Sequence, residues 1–200
     1  MAEGENFLEE LELIRLSQAG NLDALEQLLS NYEKAIYNLT FRYFGNHHDA
    51  SDVGQEAMIR IFQKISDFNG KSSFKTWLYR VVTNLCLDEL RHRKNKSTSL
   101  DEMKEIGYEP TSGFANPEEL AENAERNQMI QEILMQLSEE HRTILILKDI
   151  EGMEYLEIAQ IIGCNMGTVK SRLNRAREAF RKKLINQPKY NNLIERRVQA

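Results

Sequence analysis

Proline is scarce in this chain, with 3 residues in 200, and glycine is held to 10. With few breakers and few β-branched runs, helix is the default element, because proline and glycine are what interrupt it. Cysteine occurs only as Cys86 and Cys164, in apolar or turn contexts and without metal-type spacing. That excludes a disulfide scaffold and fits a reducing compartment, the cytoplasm. No apolar run approaches the roughly 20 residues of a membrane helix, and no secretory leader is read ahead of the first helix. A positive charge balance is missing too: 26 Lys and Arg against 31 Asp and Glu leave −5. A protein that grips polyanions over its whole surface is therefore excluded: either basic patches are local, or a partner helps deliver the protein to DNA.

What is present is 41% apolar residues, set out at helical spacing. The segment 155–183 has the layout of a helix-turn-helix. Leu156, Ile158, Ala159, Ile161 and Ile162 make a first helix, and Gly163 offers a left-handed end to it. Cys164, Asn165 and Met166 form the turn. Val169, Leu173, Ala176 and Phe180 then share one face of a second helix. Thr168, Ser171, Arg172 and Arg175 fall opposite, with Lys170 and Arg177 on the flanks. Small and basic side chains near a helix start suit a major groove, where Arg and Lys meet base acceptors. An ordinary αα-hairpin with a solvated basic face is the plainer alternative.

Ahead of it, 7–18 reads as a short amphipathic helix, Asn21 as a cap, and 22–43 as one long helix ended by Gly45-Asn46. Asp49 to Asp52 resembles a capping box for a helix reaching about Ile65. Val53, Ala57, Ile61 and Ile65 form its core stripe. Gln55, Ile59 and Phe62 form a second strip beside Asp52, Glu56 and Arg60, which is more apolar surface than one core needs. A turn-rich loop, Asp67 to Ser72, leads to a helix capped by Ser73. That helix mixes Phe74, Trp77 and aliphatic residues with Lys75, Arg80, Asn84, Arg91 and Arg93. Rings beside basic groups suit single-stranded nucleic acid, although core aromatics under a solvated basic face explain the pattern as well.

Composition divides the chain at 96–117, where Ser, Thr, Gly, two prolines and the acids Asp101, Glu102, Glu105 and Glu109 read as a flexible linker. The expected fold is all-α. Two small helical domains, 1–95 and 118–184, are joined by that acidic linker, and a polar tail, 185–200, follows. The C-terminal domain holds the helix-turn-helix.

The segments DVGQEAMIRIFQKISDF and FKTWLYRVVTNLCLDELR resemble the second region of bacterial RNA polymerase sigma factors. HRTILILKDIEGMEYLEIAQIIGCNMGTVKSRLNRARE resembles their fourth region. With no third-region domain between them, the chain resembles the extracytoplasmic-function group over about residues 8–184. The resemblance implies a non-catalytic subunit without metal or cofactor. Its partners would be core RNA polymerase, promoter DNA as duplex and as single non-template strand, and an anti-sigma factor, with no membrane insertion of its own. It implies polymerase binding through Asp52, Gln55, Glu56, Ile59 and Arg60. It implies −10 strand binding and opening through Phe68, Asn69, Gly70, Lys71, Ser72, Ser73, Phe74, Lys75, Thr76, Trp77, Arg80 and Asn84. It implies −35 duplex reading through Gly167, Thr168, Lys170, Ser171, Arg172, Arg175 and Arg177. It also implies that the acidic linker threads the polymerase channel as a mimic of nucleic-acid charge. Asn165-Met166 departs from the family's usual Pro-Val in the turn and bears on the entry angle of the recognition helix.

Two other functions compete. A repressor-type helix-turn-helix protein acting alone on duplex DNA leaves the Trp77 segment and the acidic linker without a task. A metal-dependent nuclease built on His47, His48, Asp49 and Asp52 lacks a distal ligand set.

Overall fold

The structure, a computed structural model, describes residues 2–96 and 117–187. These form nine α-helices and two short non-α segments, with no strand among them. The first half contains α1 (Ala2–Gln18), α2 (Leu22–Ser30), α3 (Glu33–Phe44), α4 (His47–Lys64), a 3₁₀ turn (Ile65–Asp67) and α5 (Phe74–Lys96). The second contains α6 (Pro117–Met135), α7 (Glu139–Leu145), a π-helical turn (Ile146–Ile150), α8 (Tyr155–Ile162) and α9 (Met166–Ile185). The expected linker lies almost wholly outside the described residues, as does the tail beyond 187.

The caps explain most of the boundaries. Asn21 Oδ1 accepts from Ala24 N at 3.0 Å, Ser73 Oγ from Thr76 N at 3.1 Å and Ser138 Oγ from His141 N at 3.4 Å, each satisfying a helix-start donor. Two boundaries differ from the sequence reading. The long helix over 22–43 is broken at Asn31-Tyr32, giving α2 and α3. At the break Tyr32 swings its hydroxyl onto Glu10 of α1 (2.9 Å) and its ring onto Phe74 (5.4 Å between centroids). Helix α4 starts earlier than expected because Asn46 caps it, accepting from Asp49 N at 2.8 Å. Asp49 then belongs to the first turn and pairs with Arg93 at 2.6 Å, which ties the start of α4 to the end of α5.

One hydrophobic cluster runs through both halves, from Leu13 and Leu28 through Leu78 and Val82 to Ile146 and Leu173. The joint is polar as well as apolar. The last turn of α3 is short of backbone donors; Gly45 N reaches Phe41 O at 2.8 Å, and the second half supplies further donors. Gln131 Nε2 donates to Phe41 O (3.1 Å) and Arg42 O (3.2 Å). Arg142 Nη1 donates to Tyr43 O at 2.7 Å. The same guanidinium caps the end of α6, with Nε on Leu134 O (2.9 Å) and Nη2 on Met135 O (2.9 Å). Burial lowers its pKa, while the Tyr43 ring and Glu139 oppose the shift. Gly45, at φ 75°, lets the chain turn beside α6, and a Cβ there would stand 3.0 Å from Met135 Sδ.

Of the seven buried polar residues among those described, Thr76, Thr83, Gln131, Arg142 and Thr143 lie at this joint. The buried hydroxyls of Tyr43, Thr83 and Thr143 lack hydrogen bonds of good geometry. Burial pushes the Tyr43 phenol upward, against a partial pull from the two threonines. The three hydroxyls thus form a small polar cluster of their own inside the joint.

Arg142→Met should lower global stability by roughly 2–4 kcal/mol, since it strands carbonyls at two helix ends. Urea denaturation followed by circular dichroism measures this, and a loss under about 0.5 kcal/mol contradicts the double-cap role.

Candidate nucleic-acid interface

Helix α8, Gly163 and α9 form the helix-turn-helix. Gly163 takes the left-handed conformation at φ 67°, with its N–H on Ala159 O. Asn165 caps α9, its Oδ1 accepting from Thr168 N at 2.8 Å and Thr168 Oγ1 at 3.0 Å. The unusual turn residue thus performs the helix-start function, and its β-region backbone is the ordinary one for a cap. Val169, Leu173 and Ala176 are buried as expected, and Phe180 packs at the edge of the core.

The outward face of α9 is rotated from the sequence reading. Arg172 does not point away from the seam. It lies at the α7 flank, where Nε meets Glu140 Oε1 at 2.7 Å and its side chain is 33% exposed. Arg177 forms a two-pronged pair with Asp149, Nε to Oδ2 at 3.0 Å, and that hydrogen bonding raises its pKa. The open face carries Gly167, Lys170, Ser171, Asn174 and Arg175, with Thr168 half-buried beside it. Arg175 uses only Nε internally, on Ser171 O at 3.3 Å, which leaves its two amino groups outward. Lys170 rests over the Tyr155 ring at 5.6 Å. Asn174 was missed, although its position three after Ser171 and four after Lys170 marks the same face.

In the first half, α1 anchors the loop that precedes α5. Gln18 Nε2 donates to Ile65 O (3.1 Å) and Phe68 O (2.6 Å). Residues Asn69, Gly70, Lys71 and Ser73 of the loop are exposed and Ser72 half-buried. The aromatics are not open platforms: Phe74 and Trp77 are 2% and 5% exposed and stack at 5.6 Å, with Phe68 against both. They are core rings, because i, i+3 spacing on α5 aims both under the loop. Thr76 is 2% exposed, its hydroxyl bonded to Glu157 of α8 at 2.7 Å.

The outward polar side chains are Lys75, Arg80 and Asn84, of which the first two are basic. Arg80 and Asn84 line a groove of about 400 Å³ between α4 and α5, with Arg60, Lys64, Arg91, the edge of Trp77 and two acids, Asp67 and Asp88, the latter paired with Arg91 at 3.2 Å. Arg91 belongs to the basic run expected on α5, whereas Lys64 was not anticipated; the packing of α4 on α5 brings it to Arg80.

Helix α4 keeps its second strip outside. Asp52, Gln55 and Glu56 are exposed, Arg60 is half-buried and bonded to Glu56 at 3.1 Å, and Ile59 and Phe62 are each 51% exposed. The nuclease constellation does not assemble. His47 meets the Tyr37 hydroxyl, Asp49 meets Arg93, and His48 meets Asp52 at 3.1 Å. Among the described residues no three His, Cys, Asp or Glu side chains gather as metal ligands. No described helix is long and apolar enough to cross a membrane.

Fold and faces together define a helical protein with two modules, one a helix-turn-helix and the other a helix pair with an unpartnered strip and a basic groove. The comparisons with known proteins agree. Sigma-70 region 2 matches residues 28–96 and Sigma-70 region 4 matches 127–180. The ECF RNA polymerase sigma factor SigW of Bacillus subtilis is 35% identical over 86% of this chain and 94% of its own length. The ECF RNA polymerase sigma-E factor of Escherichia coli is 33% identical over 86% and 92%. Among solved structures, the sigma factor RpoE of Bartonella quintana, in complex with the anti-sigma factor NepR, superposes with a TM-score of 0.65 at 24% identity, over 81% of this chain and 97% of that one. CnrH, in complex with the cytosolic domain of CnrY, gives 0.62 at 23%, over 88% and 97%.

The chain belongs to the sigma-70 family, in its extracytoplasmic-function group. It is a promoter-specificity subunit for transcription initiation by RNA polymerase and not an enzyme.

Asn165→Ala should lower stability by about 1 kcal/mol, and Asn165→Asp should keep most of it, because only a side-chain acceptor is needed at the cap. Urea melts of the three proteins decide this; equal midpoints for Ala and Asn would remove the cap from the account.

Proposed function

We propose that this subunit docks on core polymerase through the α4 strip, reads the −35 duplex with α9, and holds and opens the −10 element with the loop at 68–73 and the outward face of α5. The observation that carries the reading is the α4 strip. Ile59 and Phe62 stand half-exposed beside Asp52, Gln55 and Glu56 on a helix whose other face is fully buried. An apolar strip rimmed by polar groups is what a protein partner covers. Docking also resolves the −5 charge, since the polymerase supplies most of the phosphate contacts.

On α9 the outward rotation favours Arg175, with Ser171 and Asn174, for base edges, and Lys170 for phosphate. On α5, Arg80 and Asn84 are the readers that remain open, while Lys75, Lys64 and Arg91 suit the sugar-phosphate track. Phe74 and Trp77 support this surface from beneath. The acidic linker keeps its proposed place in the polymerase channel. The setting is cytoplasmic, where polymerase acts. Control by an anti-sigma factor follows by likeness to RpoE with NepR and CnrH with CnrY.

Holoenzyme affinity across singly altered −35 elements at two salt concentrations tests the duplex reading. Arg175→Ala should cost roughly 1–3 kcal/mol on the preferred element and relax discrimination at one or two positions. Lys170→Ala should weaken all elements alike and shallow the salt dependence. Arg172→Ala should leave base preference unchanged; a shift in preference there would restore the unrotated helix face.

Polymerase docking is tested separately. Ile59→Ala with Phe62→Ala should weaken core binding at least about tenfold, since each buries less apolar area. Circular dichroism should be unchanged. Full retention of binding in a pull-down would sink the α4 assignment.

A further inference from the structure

Helix α9 carries seven basic side chains, from Lys170 to Lys183, and most of them are matched. Arg172 Nε meets Glu140 Oε1 of α7 at 2.7 Å, and Arg177 engages both carboxylate oxygens of Asp149 in the π-helical turn. Farther along, Arg181 and Lys182 share Glu178, at 3.7 and 4.0 Å. Lys183 donates to the Gln136 amide oxygen at 3.5 Å. Lys170 rests over the Tyr155 ring and Arg175 on the Ser171 carbonyl, with no carboxylate partner for either among the described residues.

The pairs with Glu140 and Asp149 differ from those with Glu178. Helical spacing puts Arg172 and Arg177 on opposite borders of the face that presents Ser171, Asn174 and Arg175. Each acid comes from another element of the second half and stands at one border. Folding does not call for them, since α9 is already seated by Val169, Leu173 and Ala176, and solvent-exposed ion pairs add little stability. The two arginine side chains are 33% and 50% exposed, so each reaches solvent once released.

We propose that Glu140 and Asp149 are specificity-determining positioning residues, which hold Arg172 and Arg177 off the phosphates that flank the −35 base edges. The inference rests on the −35 reading above. Phosphate contacts attract every sequence, whereas base contacts distinguish them. A released border arginine gains most on a wrong element, where no base contact fixes the helix and it can shift to the nearest phosphate. On the preferred element the base contacts hold the register, and the gain is smaller. The two acids thus reduce the sequence-independent part of binding. They preserve the ratio between right and wrong sites, which is what counts among many competing sites.

The test titrates holoenzyme with promoter fragments that share one −10 element and carry either the preferred or a scrambled −35 element, at two salt concentrations. Glu140→Gln and Asp149→Asn should each bind the scrambled fragment at least about threefold more tightly at the lower salt, with a salt slope steeper by about one phosphate contact. The preferred fragment should gain less, so discrimination falls. Adding Arg172→Gln to Glu140→Gln should return both readouts to wild type, and Arg172→Gln alone should leave the slope as it is. A purely structural pair gives a lower melting temperature and uniformly weaker binding at an unchanged slope, and that result overturns the proposal. Equal gains on both fragments overturn the specificity role. A shallower slope in Arg172→Gln alone also overturns it, because the arginine then already touches DNA; this variant serves if an acid variant loses helix content. The −35 reading is judged apart: Arg175→Ala with no loss on the preferred element sinks that reading, whatever the acid variants do.

Discussion

The end of α3 is the constraint on which the arrangement depends. A helix end is short of carbonyl donors, and here the carbonyls of Arg42 and Tyr43 face protein instead of water. Gln131 and Arg142 supply the donors, and Arg142 does so for the end of α6 as well. One guanidinium thus serves two helix ends in two halves of the chain. The negative ends of both helix dipoles converge on its charge, which compensates part of its desolvation. The positions of α7 and of the helix-turn-helix beyond it follow from that anchor.

Stability and use pull against each other at the joint. Its apolar part continues the core, while its polar part holds the hydroxyls of Tyr43, Thr83 and Thr143 in one buried cluster. A specificity subunit has to present one surface to polymerase and others to DNA, and surfaces that work in water cannot be fully apolar. The α4 strip, the groove between α4 and α5 and the outer face of α9 are exposed. The start of α5 meets the second half, Thr76 at Glu157 and Tyr79 at Glu151.

Spacing and residue chemistry made much of this legible. Periodic aliphatic residues located the helices of the second half, and Gly163 with Asn165 located the turn between α8 and α9. Asn21, Ser73 and Ser138 announced their helices because a cap is a local interaction. The break at Asn31-Tyr32 was not legible. Its cause is distant, in the Tyr32 contacts with Glu10 and Phe74. The rotation of α9 was missed for the same reason: periodicity identified the seam at Val169, Leu173 and Ala176, but Glu140 and Asp149 decide where the flanking arginines go.

The chain alone determined an all-α fold, the helix-turn-helix, the second strip on α4 and the family, since each is carried by residues within a few turns of one another. Tertiary structure decided that Phe74 and Trp77 are core rings, that Lys64 joins Arg80, and that α8 lies on Thr76 and Tyr79. Those outcomes depend on contacts between residues as many as 81 positions apart. Local spacing has no term for such contacts; they form only when buried carbonyls, hydroxyls and carboxylates must all find partners at once.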